Sequence, residues 1–190
     1  MNVQKLFVAM LLFVAGGLAG VQAATLADVT LPDSATVGGQ SLVLNGIALR
    51  TKTWFKVKVY VGGLYLPEKA DTAQAVLAQT GPDRIQMNMI YAASPGQFKD
   101  AWDEGFDGNN PGISPELRAK IDKFIGWFGQ AKKGDVITMD FIPGQGTQVG
   151  WNGDLKGTIE GADFHTALLN AFLGPKLPDD FRNALLGVKQ

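Results

Sequence analysis

The sequence contains no cysteine and only one histidine, and these absences exclude several kinds of site. Without cysteine the chain has no disulfide bond, no thiolate metal ligand and no cysteine nucleophile. The one histidine, His165, is not joined by a second histidine or by grouped carboxylates, so we predict no metal site and no cofactor. A Ser-His-Asp triad has no support in the sequence either. We interpret His165 as a surface or helix-end residue on a helix that Asp163 caps.

An excess of charge of one sign is also missing, as are long hydrophobic runs. The chain has 17 basic and 18 acidic side chains, and this balance argues against nucleic acid or an anionic lipid surface as a partner. The longest apolar run, residues 6–18, is shorter than the ~20 residues that a membrane span needs. We therefore predict no nucleic-acid partner and no stable membrane anchor.

The first 23 residues have the pattern of a cleavable secretory signal. Lys5 precedes the apolar run, and Val21-Gln22-Ala23 supplies small residues at a cleavage position. Removal of residues 1–23 from the 190-residue chain leaves 167 residues, enough for one domain with a sizeable core. We predict a signal peptide over residues 1–23, a single domain over residues 24–190, and a periplasmic location.

Predicted strands and helices are clustered along the chain and do not alternate strictly. Strands are expected near the N-terminus and at residues 84–92, and a strand meander at residues 136–159. Helices are expected after the capping residues Asp71, Ser94, Ser114 and Asp163, and a last helix carries Phe181. This order predicts an α+β fold in which helices cover one face of a mainly antiparallel sheet, with any ligand between the two layers.

Arg50 stands at the end of an apolar alternation, just before a strongly patterned strand. Phe55, Val57, Val59 and Val61 alternate there with Trp54, Lys56, Lys58 and Tyr60, which predicts two opposite faces. A guanidinium at this point can pair with a planar anion such as a carboxylate or a phenolate. The alternative is a solvated arginine, or one paired with a nearby Asp or Glu.

Aromatic side chains concentrate on the strands and the helix that should flank the predicted cleft: Trp54, Tyr60, Tyr65, Tyr91, Phe98 and Trp102. One interpretation is ordinary core packing. The other is an aromatic wall beside Arg50, which would suit an amphipathic acid or a phenolic ligand.

Four segments together resemble the chalcone isomerase family, in its bacterial exported branch. They are Gly46-Ile47-Ala48-Leu49-Arg50, Gly63-Leu64-Tyr65-Leu66-Pro67-Glu68, Gln97-Phe98 through Gly105, and Ala167-Leu168-Leu169-Asn170 with Gly174. They follow the family's order over nearly the whole mature chain. The resemblance implies an open-faced β-sandwich, in which a large antiparallel sheet is covered by a layer of helices with a ligand cleft between.

The resemblance also implies roles for single residues. Arg50 corresponds to the catalytic arginine, whereas Tyr60 stands where the family has Thr, Phe98 where it has Tyr, and Gly105 where it has Asn. The family's last Thr or Ser falls near Thr166. The candidate ligand-binding residues are therefore Arg50, Tyr60, Phe98, Trp102 and Thr166, and the catalytic pair of an enzyme would be Arg50 and Tyr60.

Two functional hypotheses follow, and a purely structural role in the envelope stays open beside them. The first is a periplasmic protein that binds a small hydrophobic or amphipathic ligand, such as a fatty acid, through Arg50. The second is an isomerase, an intramolecular lyase of the chalcone–flavanone type, with Arg50 and Tyr60 as electrophilic donors. Arg50 without the rest of the family's hydroxyl network favours binding, because each lost donor removes about 2.7–4 kcal/mol of charge stabilisation.

Overall fold

The computed structural model describes residues 23–52 and 57–188, and within them nine strands and five helices. The predicted signal, except for Ala23, and residues 53–56, which the alternation predicts as part of a strand, lie outside the described residues. The strands are β1 (Ala23–Leu26), β2 (Val29–Pro32), β3 (Ser34–Val37), β4 (Gln40–Lys52), β5 (Val57–Leu66), β6 (Asp83–Met89), β7 (Val136–Ile142), β8 (Gly146–Trp151) and β9 (Asp154–Ile159). The helices are α1 (Ala73–Leu77), α2 (Pro95–Asn109), α3 (Pro115–Ile125), α4 (Ala162–Leu173) and α5 (Asp179–Leu185).

Strands β3 to β9 form one seven-stranded sheet in which the spatial order equals the sequence order. Every neighbouring pair in it is antiparallel. The main core lies between one face of this sheet and the helices, and it includes Ile85 and Met87 of β6 with Phe106 of α2 and Leu168 of α4. The α+β prediction, with an antiparallel sheet under a helical layer, is confirmed.

A second, smaller core covers the other face of the sheet around β4 and β5. Strands β1 and β2 pair as a separate hairpin, and Leu31 of this hairpin packs with Val61 and Tyr65. The turn between the two strands uses Ala27 and Asp28, which have φ values of 48° and 63°. Positive φ values in a two-residue hairpin turn are usually adopted by Gly or Asn. Ala27 and Asp28 are neither, so the sequence did not indicate this turn.

The first residues of the helices agree with the predictions at α2 and α3 and differ at α1 and α4. Ser94 forms the predicted capping box at α2, and Ser114 caps α3. The N-cap of α1 is Thr72 and not Asp71, because the Thr72 hydroxyl accepts the Ala75 N–H at 3.1 Å. Helix α4 follows Gly161, and Asp163 lies in its first turn, where its carboxylate binds Lys120 Nζ at 2.6 Å.

Helix α5 lies directly on β4 because Gly46 has no side chain. A Cβ atom at Gly46 would stand 2.1 Å from the Ala184 carbonyl oxygen. The neighbouring Asn45 occupies a β-bulge, and its Nδ2 donates to the carbonyl of Leu185 at 2.9 Å. This close approach brings Phe181 of α5 over the part of the sheet that carries Arg50.

The interpretation of His165 as a surface residue was wrong. Its ring is buried, lies parallel to the Phe141 ring with centroids 3.6 Å apart, and places Nε2 2.6 Å from Asp83 Oδ2. Burial raises the pKa of the Asp83 carboxyl, and the His165 contact opposes that rise. The pair ties α4 to the sheet, which is a structural role.

None of the five described helices combines the length with the hydrophobicity that a bilayer crossing demands.

Candidate functional site

A cavity of about 730 Å³ opens between α2 and strands β4 to β6, at the interface that the sequence predicted for a ligand. Its volume falls within the range typical of small-molecule sites. The apolar lining comes mainly from Val57, Val59, Met87, Met89, Phe98, Ala101, Trp102, Ala171 and Phe172. The polar or charged residues of the lining are Arg50, Lys52, Tyr60, Tyr91, Gln97, Asp100, Glu104, Asn109 and Lys176. The site is therefore an apolar chamber bordered by polar and charged side chains.

A β-bulge in β5 turns Tyr60 toward this cavity. Arg50 pairs with Tyr60 across β4 and β5, but the next pair is Thr51 with Lys58, so Val59 is an extra residue. The Val59 carbonyl accepts the N–H groups of both Ile90 and Tyr91. Tyr60 consequently lines the cavity together with Val57 and Val59. The predicted strict alternation, which put Tyr60 on the opposite face, was wrong because a bulge shifts the pattern by one residue.

The Arg50 guanidinium reaches the cavity without a carboxylate partner. Its Cζ lies 5.6 Å from the centroid of the Phe181 ring, within the range of a cation–π contact. All 18 Asp and Glu side chains belong to the described residues, and none of them forms an ion pair with Arg50. The alternative of a structural ion pair at Arg50 therefore has no partner in the structure.

Tyr60 supplies a second polar group beside Arg50. Burial raises the pKa of Tyr60 to about 12, although the Arg50 charge opposes the rise. The phenol is thus neutral at physiological pH and can donate a hydrogen bond. The Tyr60 ring meets the Phe181 ring edge to face, with centroids 6.0 Å apart. Phe181 of α5 therefore contacts both Tyr60 and the Arg50 guanidinium.

An ion pair crosses the cavity rim close to Arg50. Lys52 Nζ of β4 binds Glu104 Oε2 of α2, and both side chains are about half exposed or more. The hydrogen bond from Lys52 lowers the pKa of Glu104, and the charge of Arg50 adds to that effect. Glu104 is therefore an anion near Arg50, but its ion pair is with Lys52.

Helix α2 forms the opposite wall with two aromatic rings and two glycines. Phe98 and Trp102 are buried and line the cavity. Gly105 and Gly108 leave space, since a Cβ at Gly105 would make only ordinary contact with Ala171 Cβ at 3.5 Å. The indole Nε1 of Trp102 is buried and has no hydrogen-bond partner among the described residues.

The structure thus brings Arg50, Tyr60, Phe98 and Trp102 to one cavity, but it does not place Thr166 there. Thr166 is exposed on α4 and lines a separate shallow crevice with Asn110 and Ala162. The reason is helical geometry, because the flanking residues His165 and Ala167 take the buried face of α4.

Other predicted aromatic residues are divided between the cavity and the rest of the fold. Tyr91 stands at the cavity, 55% exposed, whereas Tyr65 belongs to the core under the β1–β2 hairpin. Trp54 lies outside the described residues. Sequence reasoning missed Phe172 as a wall residue, although its place on the apolar face of α4 could have indicated it.

Within residues 23–52 and 57–188, no three His, Cys, Asp or Glu side chains come together in a way that could hold a metal ion. The polar groups at the cavity can instead donate hydrogen bonds to a bound anion. A cation beside a neutral phenol, at the edge of an apolar chamber, fits a ligand that has an anionic head and an apolar body.

Comparison with known proteins relates the chain to one family and to solved structures of similar fold. A family model described as chalcone isomerase-like matches residues 23–187. Among solved structures, the crystal structure of a fatty-acid-binding protein from Arabidopsis thaliana superposes with a TM-score of 0.64 at 16% sequence identity. That match covers 87% of this chain and 96% of the other. A search of curated proteins finds no match.

Proposed function

The chain belongs to the chalcone isomerase-like family, and from that premise we propose that it binds a small amphipathic acid in the bacterial periplasm. The ligand's carboxylate would lie on Arg50, and its hydrocarbon part would fill the apolar cavity. A phenolic ligand that ionises could use the same group. The likeness of the fold to a fatty-acid-binding protein supports this proposal.

The observation that carries the proposal is the unpaired guanidinium at an apolar chamber. A partly buried arginine ordinarily has a carboxylate partner, as Arg84 has in Asp140, with two contacts of 2.6 Å. Arg50 has none, while the adjoining wall is mostly hydrocarbon. A bidentate carboxylate would satisfy the guanidinium fork, and the neutral Tyr60 hydroxyl could donate a further bond.

Substitution of Arg50 tests the proposal. A hydrogen bond to a charged group contributes about 1.5–3 kcal/mol, so Arg50→Gln should weaken binding of a medium- or long-chain fatty acid by roughly ten- to a hundredfold. Arg50→Lys should restore only part of the affinity, because an ammonium keeps the charge without the planar fork. Calorimetric titration gives the affinities.

Arg182→Gln is the matched control, since Arg182 binds Asp179 at 2.6 Å and does not line the cavity. It should leave fatty-acid affinity unchanged. Equal affinity of wild type and Arg50→Gln would refute Arg50 as the anchor. A lower melting temperature of Arg50→Gln with unchanged affinity would assign Arg50 a structural role.

An isomerase is the second candidate, because Arg50 and Tyr60 are cross-strand partners with donors at one site. In a chalcone-to-flavanone closure, the substrate phenolate adds to the enone and charge develops on the ketone oxygen. Two donors aimed at that oxygen would stabilise it. Phe98 and Gly105, however, offer no side-chain donor at the opposite wall.

We therefore expect little chalcone turnover above the uncatalysed rate. An absorbance assay with a 2′-hydroxychalcone measures it, and the double change Phe98→Tyr with Gly105→Asn should give at most partial activity. A large rate enhancement in the wild type that Arg50→Ala abolishes would instead favour the isomerase.

A further inference from the structure

One end of the seven-stranded sheet exposes apolar side chains beside the opening of the cavity. Because neighbouring strands are antiparallel, β5, β7 and β9 begin at this end and β4, β6 and β8 finish there. Val57 at the start of β5 is 37% exposed, Tyr91 just after β6 is 55% exposed, and Leu155 at the start of β9 is 62% exposed. Val57 and Tyr91 also line the cavity. Large apolar side chains that are exposed together are typical of an interaction surface.

Exposed lysines lie on both sides of Tyr91. The Tyr91 N–H donates at 3.1 Å to a carbonyl of β5, the strand that carries Lys58. On the other side, the connection that carries Lys132 and Lys133 donates the Gly134 N–H to the last residue of β6 at 2.8 Å. Within the described chain, none of these three lysines forms an ion pair. Their charges are therefore available to an anionic partner.

Charge is distributed unevenly between the two ends of the sheet. The strand ends and the adjoining wall of α2 at the cavity opening carry more basic than acidic side chains: Arg50, Lys52, Lys58, Lys99, Lys132, Lys133 and Lys156 against Asp100, Asp103, Glu104, Asp135 and Asp154. At the opposite end, the connections after β5 and β9 expose Glu68, Asp71 and Glu160 against Lys69. The balance of charge over the whole chain, which argued against a lipid surface as a partner, conceals this difference.

We propose that this end of the sheet docks transiently on an anionic phospholipid bilayer, through its lysines and its exposed apolar side chains. Each lysine near such a surface strengthens binding by roughly fivefold, and tyrosine and aliphatic side chains are favoured at the lipid boundary. The cavity then opens toward the membrane, where an amphipathic acid is concentrated, so the ligand passes between bilayer and cavity at this end. This exchange of ligand rests on the proposed function, whereas the docking does not.

Flotation of the protein with lipid vesicles tests the docking. The protein is the processed form recovered from the periplasm, because the apolar run at residues 6–18 would itself bind lipid. At low salt, vesicles of phosphatidylcholine with about one third phosphatidylglycerol should bind the protein roughly tenfold more tightly than vesicles of phosphatidylcholine alone. High salt should remove most of this difference, since it screens exposed charges.

Matched substitutions at the two ends of the sheet separate a docking surface from an effect of net charge. Lys133→Gln should weaken binding to the anionic vesicles roughly three- to fivefold, whereas Lys69→Gln should leave it unchanged. Leu155→Ser should weaken binding by a similar factor, and Leu77→Ser, on α1 in the connection after β5, should not. None of these four residues lines the cavity, so each variant should bind stearic acid in solution as the wild type does.

Transfer of a fluorescent fatty acid from the protein to anionic vesicles measures the exchange of ligand. Its rate should rise with vesicle concentration in the wild type and should be lower in Lys133→Gln. Stearic acid binding in solution without binding to anionic vesicles, or equal weakening of vesicle binding by Lys69→Gln and Lys133→Gln, would overturn the docking alone. A transfer rate independent of vesicle concentration would overturn the exchange. Vesicle binding by a protein without affinity for stearic acid would refute the proposed function and leave the docking in place.

Discussion

Glu104 lies near Arg50, which we propose to bind the carboxylate of a ligand, and the Glu104 carboxylate could compete for the same guanidinium. Lys52 prevents the competition by binding Glu104 across the rim. The negative charge of Glu104 nevertheless remains in the field of Arg50, as its effect on the Glu104 pKa indicates. Such a charge should weaken the attraction between Arg50 and an incoming anion.

Glu104→Gln should consequently tighten fatty-acid binding. An interaction at the solvated rim is worth about 0.5–1 kcal/mol, so the expected gain in affinity is two- to fivefold. It should shrink in high salt, where exposed charges are screened. Calorimetric titrations at low and high ionic strength measure both effects.

Asp107→Asn on the same helix is the control, because Asp107 binds Arg118 and does not line the cavity. It should leave the affinity as it is. A loss of affinity in Glu104→Gln would show that the Lys52–Glu104 pair holds the rim in shape, and would contradict a role in charge competition.

At the scale of single residues, the predicted site residues differ in where the structure places them, and their role in binding stays a prediction. Arg50 was singled out at the end of an apolar alternation, and Phe98 and Trp102 in a group of aromatic residues beside the predicted cleft; all three line the cavity. Thr166 was assigned from the resemblance alone, and the resemblance does not determine which face of α4 that residue occupies. His165 was misread because its partner Asp83 is 82 positions away, beyond any local pattern.

Among the elements, α2 has the greatest effect on the cavity, because its small residues leave the space that the cavity occupies. Ala101, Gly105 and Gly108 face the cavity, and larger side chains there would occupy it. Glycine within a helix costs stability relative to other residues, so its presence at these positions is consistent with a need for space.

Gly105→Leu should fill part of the cavity without unfolding the protein. Leucine favours helix over glycine, and a Cβ at position 105 meets no atom closer than 3.5 Å. Overpacking typically costs about 1–3 kcal/mol, so we expect stearic acid to bind at least about fivefold more weakly while the melting temperature holds or rises.

Gly96→Leu serves as the comparison, since Gly96 lies at the exposed start of α2 and outside the lining. Its affinity for stearic acid should equal that of the wild type. Unchanged binding in Gly105→Leu would place the ligand somewhere other than this cavity.

The beginnings of elements could be predicted where a side chain caps the backbone locally. Ser94 and Pro95 signalled α2 in this way, and Asn152-Gly153 signalled the β8–β9 hairpin, with φ values of 53° and 89°. The bulge at Val59 could not be predicted, because it depends on two N–H groups supplied by residues after β6. The register between two strands depends on contacts between distant segments of the chain, so the local sequence of β5 does not determine it.

For the whole molecule, export and processing remain predictions from the first residues. Strand β1 begins at Ala23, which pairs with Pro32, so cleavage after Ala23 removes a single residue of the described strand. Protein recovered from the periplasm should have Ala24 as its first residue by intact-mass measurement. Recovery only from the cytoplasm, or with residues 1–23 retained, would refute the prediction.

Helices α2 and α3 both lie in the connection between β6 and β7, whereas Arg50 and Tyr60 belong to β4 and β5. Because β6 and β7 are already neighbours in the sheet, this connection can lengthen, shorten or be exchanged without rethreading a strand. Insertions and deletions there would remodel the helical wall and spare the arginine. Related chains could therefore differ in the apolar bodies of the ligands they accept and still share the contact that we propose between Arg50 and an acidic head group.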